Sequence, residues 1–152
     1  MNLFQLLEQK ADEIIEEATK ALTEANLNHY KKASIERNEK RFKTLFYKMF
    51  RGIKTGNLEK IREYIENIVH ERFMAGYELQ EVQIAFNLLE LAFWTKIIEK
   101  LKLSEIREAR KRMNTVFGMG RDTLIITYVS LASKYKAPSI EPSLLLKGTD
   151  GV

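Results

Sequence analysis

Cysteine is absent from this chain of 152 residues, and there are only two prolines, two histidines and seven glycines. Without cysteine there are no disulfides, no thiolate metal sites and no thiol catalysis, which accords with a reducing cytoplasm. Both prolines, Pro138 and Pro142, stand near the C-terminus, so the rest of the chain is free to form long helices. The N-terminus shows no basic segment leading into a long apolar run, so no signal peptide is read there. A run long and apolar enough for a membrane span is missing as well. The most apolar stretch, Ile84 to Leu101, is interrupted by Asn87, Glu90, Lys96, Glu99 and Lys100, and a span needs about 20 mostly uncharged residues. These absences lead us to expect a cytoplasmic protein that does not insert into a membrane.

What is present suits a packed domain. Apolar residues make up 45% and aromatic residues 10% of the chain, enough to bury a core in one unit. The net charge of +4 hides an uneven distribution. Met1 to Ala25 carries six acids against two bases, whereas Lys31 to Lys54 carries nine bases against Glu36 and Glu39. Two solvated helix faces of opposite sign, side by side, explain this most simply.

Apolar residues recur at steps of three and four, which predicts five helices. The first runs from about Asn2 to Ala25, with Leu3, Leu7, Ala11, Ile14, Ala18 and Leu22 on one face. Asn26, Asn28 and His29 interrupt the pattern. Ser34 caps a second helix bearing Phe42, Leu45, Phe46, Met49, Phe50 and Ile53, closed by Gly52 and Gly56. Asn57 caps a third, which ends near Gly76. At the next junction Tyr77 and Val82 are spaced as a hydrophobic staple. Glu81 stands where its carboxylate meets the first free amides of a fourth helix, about Leu79 to Leu101. That helix is apolar nearly all round, which places it at the centre of the domain or between two copies of it. The last helix opens at Ser104 and continues to about Tyr135. Gly118 and Gly120 within it imply close packing or a bend. No stretch alternates with a period of two, so the expected class is all-α. Residues 1–136 are read as a helical domain and residues 137–152 as a loop-like or docking tail containing Leu144, Leu145 and Leu146.

Catalytic signatures are missing. His70-Glu71 begins like a zinc-protease helix, but Met74 stands where the second histidine belongs. No Glu-x-x-His pair marks a di-iron bundle, and Gly118-Met119-Gly120 lacks the ending of a phosphate loop. The chain is therefore read as no enzyme, with no metal and no cofactor. The competing reading is a small-molecule or haem carrier, with His70 as a proximal ligand or Glu90 fixing a ligand in an internal pocket. For Glu90 the simpler expectation is an ion pair with Arg72 or Arg121, because a buried carboxylate needs a partner. Nucleic-acid binding rests on the basic second helix alone. The helix after the Gly76 turn is too apolar for a major groove, so nucleic acid is not expected as a partner.

Three groups of residues carry a resemblance. Arg51-Gly52 and Gly56-Asn57-Leu58 open the third helix. Arg72, Gly76, Leu79, Glu81 and Val82 follow in fixed spacing around Tyr77, and then an apolar run passes through Ala85, Phe86 and Leu89. Over Gly52 to Leu101 the chain resembles the N-terminal domain of the RsbT co-antagonist (RsbR and RsbRD type) proteins of bacterial stress signalling. Leu7 with Ala11-Asp12-Glu13-Ile14-Ile15 and the long closing helix match more loosely. The resemblance implies a sensory or regulatory helical module, globin-like without haem, which dimerises and passes its signal along the last helix. No output domain of strands and helices follows Pro138, so the expectation is a stand-alone relative or a fragment. It would work as a homodimer and through an unidentified signalling protein. The residues expected at such contacts are Trp94, Tyr128, Tyr135 and the three leucines of the tail.

Overall fold

The computed structural model describes residues 1–135. They form seven helices: α1 (Leu3–Gln9), α2 (Ala11–Ala25), α3 (Asn28–Lys32), α4 (Ile35–Thr55), α5 (Leu58–Met74), α6 (Leu79–Lys100) and α7 (Leu103–Tyr135). No strand occurs among the described residues, in keeping with the all-α reading. The expected count of five is corrected to seven for two physical reasons. The first predicted helix breaks at Lys10, whose φ of −109° and ψ of 14° leave the helical region. The break redirects the chain so that Leu3, Leu6 and Leu7 of α1 and Ile14 and Ala18 of α2 are all buried in one core. The second reason is α3, a single short turn in the predicted loop, anchored by buried Tyr30.

Local signals set most of the remaining boundaries. Asn26 turns left-handed at the end of α2, with φ of 53°. Ser34 Oγ accepts from the Arg37 amide at 3.1 Å and starts α4. Gly52 lies inside α4 rather than closing it, pressed against Ile61 of α5. Gly56 closes α4 with φ of +74°, and among the described residues nothing beyond its chain neighbours lies within 4 Å of where its Cβ would be. Gly56→Ala is therefore a test of backbone strain alone. It is expected to lower stability by about 1–2 kcal/mol, measured by urea unfolding; an unchanged midpoint would contradict the left-handed cap.

The core is centred on α6, which packs against α1, α2 and α7. Phe46 of α4, Phe93 of α6 and Phe117 of α7 are fully buried. The ring centroids of Phe46 and Phe117 each lie 5.0 Å from that of Phe93. Helix α7 is one unbroken element of 33 residues, about 50 Å long. It answers the question of its two glycines differently at each. At Gly120 a Cβ would come within 2.8 Å of Phe86 and 3.0 Å of Ile65, so α5 and α6 close tightly on α7 there. At Gly118 nothing lies within 4 Å. Helix α6 is not enclosed all round either, because Leu91 and Ile98 remain 60% and 65% exposed. No helix among the described residues is long and apolar enough to cross a membrane. The tail with Leu144, Leu145 and Leu146 lies outside the described residues.

Candidate functional site

The turn between α5 and α6 is built by its local sequence and then tied down by distant residues. Gly76, with φ of +89°, lets the Tyr77 amide reach back to the Arg72 carbonyl at 2.9 Å, while its own amide reaches Phe73 at 3.0 Å. This pair of bonds ends α5 as a glycine-capped helix end does. Tyr77 and Val82 are both buried across the turn, as a staple requires. Leu79 is half-buried at the start of α6. Glu81 accepts from the Glu78 amide at 2.9 Å, the role its position predicts. It also accepts from the His29 amide and from His29 Nδ1, both at 2.7 Å, and so clamps α3 to α6. Burial by itself would raise the Glu81 carboxyl, but the His29 and Glu78 amides and the imidazole together prevail and hold it below its ordinary range.

Tyr77 is the centre of this region. Its ring lies 5.0 Å from His29 and 4.9 Å from Tyr30. The guanidinium groups of Arg41 and Arg72 each stand 5.7 Å from its centroid. Arg41 donates to its hydroxyl at 3.0 Å, and its carbonyl accepts from the Tyr128 hydroxyl of α7 at 2.8 Å.

Beside Tyr77 opens a cavity of about 450 Å³ between α4 and α5, floored by α6 and α7. Its floor is apolar: Phe42, Leu45, Ile65, Val69, Phe86 and Leu124. Its rim carries Arg37, Lys40 and Arg41 from α4 and Glu71 and Arg72 from α5. The basic character of the second predicted helix thus acquires a location. Arg72 is only 6% exposed. One of its nitrogens, Nη1, donates to Glu71 at 2.6 Å, yet Glu71 itself is 65% exposed. Arg72 Nε is buried and has no hydrogen-bond partner among the described residues. Burial also pushes the Tyr30 hydroxyl above its ordinary range, partly opposed by Arg72. Asn38 is satisfied on both sides, donating to the Tyr30 carbonyl at 2.9 Å and accepting from Arg41 at 3.3 Å.

The structure treats the predicted site residues unequally. Arg72, Gly76, Tyr77, Glu81 and Val82 come together, and Arg72 belongs to the cavity as well as to the turn. Glu90 pairs with Arg121, one of its two expected partners, and does not line the cavity. His70 lies on the exposed face of α5, and His29 belongs to α3 rather than a loop, with its ring on Glu81. Neither imidazole has the interior position that the haem reading requires of a proximal ligand. Among the described residues no three His, Asp or Glu side chains gather as a metal site would need. Tyr128 is corrected from a contact residue to an internal one, since it is 5% exposed and bonded to the turn. Trp94 is half-buried, and Tyr135 is half-exposed with its ring 6.0 Å from Phe73.

Sequence reasoning missed the cavity itself and the parts of Tyr30, Asn38 and Arg41. One signal was present. Asn38 sits four positions before Phe42 and seven before Leu45, so a polar residue continues the apolar stripe of α4 into the interior. Comparisons with family models, with curated proteins and with solved structures find no match to this chain.

Proposed function

We propose that this chain is a non-enzymatic, cytoplasmic regulatory module that receives a small ligand at the α4–α5 cavity and answers through protein contacts on α6 and α7. The observation that carries this reading is the position of Tyr77. Two guanidinium groups of the cavity, Arg41 and Arg72, face its ring, and the Tyr128 hydroxyl of α7 is bonded to its carbonyl. A shift of either arginine on ligand binding therefore bears on the residue that holds α7. A ligand biases such an element by its differing affinity for the element's two arrangements. The likeness of Gly52–Leu101 to the N-terminal domains of stress-signalling co-antagonists agrees with this reading in kind.

The contact surface we assign to a second copy of the chain. Ile84, Leu91 and Ile98 repeat every seven residues on α6, with Leu88 and Trp94 between them. A seven-residue repeat is the spacing by which two helices keep one seam together. Gly118 adds to this. A glycine within a helix costs about 1 kcal/mol relative to alanine, and among the described residues no side chain lies within 4 Å of where its Cβ would be. A neighbouring helix lying close at that point gives it a purpose. The same face would serve an unidentified signalling protein.

Light scattering across micromolar concentrations tests the proposal. A dimer mass is expected, falling to the monomer in the double variant Leu91→Asp, Ile98→Asp with thermal stability retained. Gly118→Ala is expected to raise the stability of that monomeric variant by about 1 kcal/mol while weakening association in the parent chain. A monomer at every concentration would remove the contact surface from this proposal.

A further inference from the structure

We infer that the α4–α5 cavity binds an anionic amphiphile, a carboxylate held at Arg72 with an unbranched apolar chain laid along the floor beside Phe42, Ile65 and Phe86. This deepens the ligand half of the proposed function and rests on it. The cavity, at about 450 Å³, lies within the range of about 300–1,000 Å³ typical of small-molecule sites. Four cations (Arg37, Lys40, Arg41 and Arg72) line it against one carboxylate, Glu71, so the ligand's charge is negative.

The buried end of that charge is Arg72. A guanidinium taken from water needs its N–H groups filled, and an unfilled one is costly. Here Nε is buried and empty, while Nη1 leans on a carboxylate that is itself mostly in water. A side-on Arg–carboxylate pair uses two parallel N–H bonds, which supplies what Nε lacks once the guanidinium turns toward the cavity. Tyr30, whose hydroxyl burial pushes above its ordinary range, lines the same cavity as a neutral donor. A neutral ligand would leave Arg72 with only the mostly exposed Glu71 as its counter-charge. A small inorganic anion would leave the apolar floor without a partner. The two halves together select an anionic head on an apolar chain, within the class of ligand such cavities hold.

The test is isothermal titration calorimetry of the full chain with three probes: sodium decanoate below its micelle concentration, 1-decanol below its solubility limit, and sodium acetate. Decanoate is expected to bind at a single site, about tenfold or more tighter than decanol or acetate, because only it satisfies both halves of the cavity. Arg72→Met is expected to reduce decanoate affinity about tenfold or more while leaving decanol unchanged, since it keeps the apolar stem and removes the charge. Should Arg72→Met not fold, Ala85→Leu, which fills the floor, is expected to weaken decanoate and leave acetate unaffected.

Decanol binding as tightly as decanoate, or an Arg72→Met variant as good as the parent, would overturn the carboxylate assignment and leave a small-molecule site in place. Acetate matching decanoate would overturn the role of the apolar floor. Failure of all three probes would overturn the inference altogether, and the scattering measurement judges the contact half of the module independently of it.

Discussion

Replacing Phe93 with alanine is expected to lower the unfolding free energy by about 3–5 kcal/mol. Phe93 is fully buried in α6 and touches the aromatic rings of α4 and α7 at once. Its removal therefore leaves a void bounded by three helices, each fixed by its own packing, so collapse is resisted from every side. A domain of this size is stable by only about 5–15 kcal/mol, and the loss should appear as a fall in melting temperature of about 6–20 °C. Urea unfolding followed by circular dichroism measures it. Leu91→Ala, measured dilute enough to keep the chain monomeric, serves as the comparison, because Leu91 lies on the same helix but is 60% exposed in the single chain, and its effect there should stay within about 0.5 kcal/mol. Equal losses at the two positions would mean that α6 does not bury the face described. Phe93→Ala combined with Phe117→Ala should cost less than the two singles added, since both open the same space.

The second large effect belongs to Glu81. Glu81→Ala is expected to cost about 2–4 kcal/mol, because it strands the amides of His29 and Glu78 and the His29 ring nitrogen at a partly buried junction. Glu81→Gln keeps an acceptor and should cost less, but it removes the charge and so the pH dependence. The folded carboxyl is held below its ordinary range. Its stabilisation is therefore fully present above the unfolded value of about 4.3 and is lost as pH falls through the lower folded value. Between neutral pH and that acid window the parent chain should lose more stability than Glu81→Gln. Glu13, lowered by its bond to Lys10, titrates alike in both chains and cancels in the comparison. Parallel stability curves would show that the Glu81 charge contributes nothing to the fold.

The features visible in the sequence are those set by neighbours along the chain. Ser34, Asn57, Gly56 and Gly76 end or begin helices through residues three or four positions away, and each does so where its spacing predicts. The break at Lys10 was not visible, because no proline or glycine marks it; the joint demand of α1 and α2 on one core produces it. Glu90 was legible as far as its need for a partner, and the structure selects Arg121 over Arg72. The clamp of His29 on Glu81 spans 52 residues, and no local pattern announces a pairing at that range. The cavity is harder still, since it belongs to no single helix. Its floor reads as ordinary core, and its rim reads as the solvated side of a basic helix. Only their meeting beside Arg72 distinguishes it.

The bond from Tyr128 to the Tyr77 carbonyl also orders events in time. The two residues are 51 positions apart, so a ribosome adding about 5–20 residues per second takes roughly 3–10 s to pass from one to the other. His29 precedes Glu81, so during that interval the clamp between α3 and α6 has both its partners. The carbonyl of Tyr77 waits for a partner not yet synthesised. Phe86 and Phe93 wait with it, their sides toward α7 uncovered until Phe117 and Gly120 arrive. The nascent chain thus carries an uncovered aromatic surface for several seconds, and α7 is the helix that removes it from the reach of other unfinished chains.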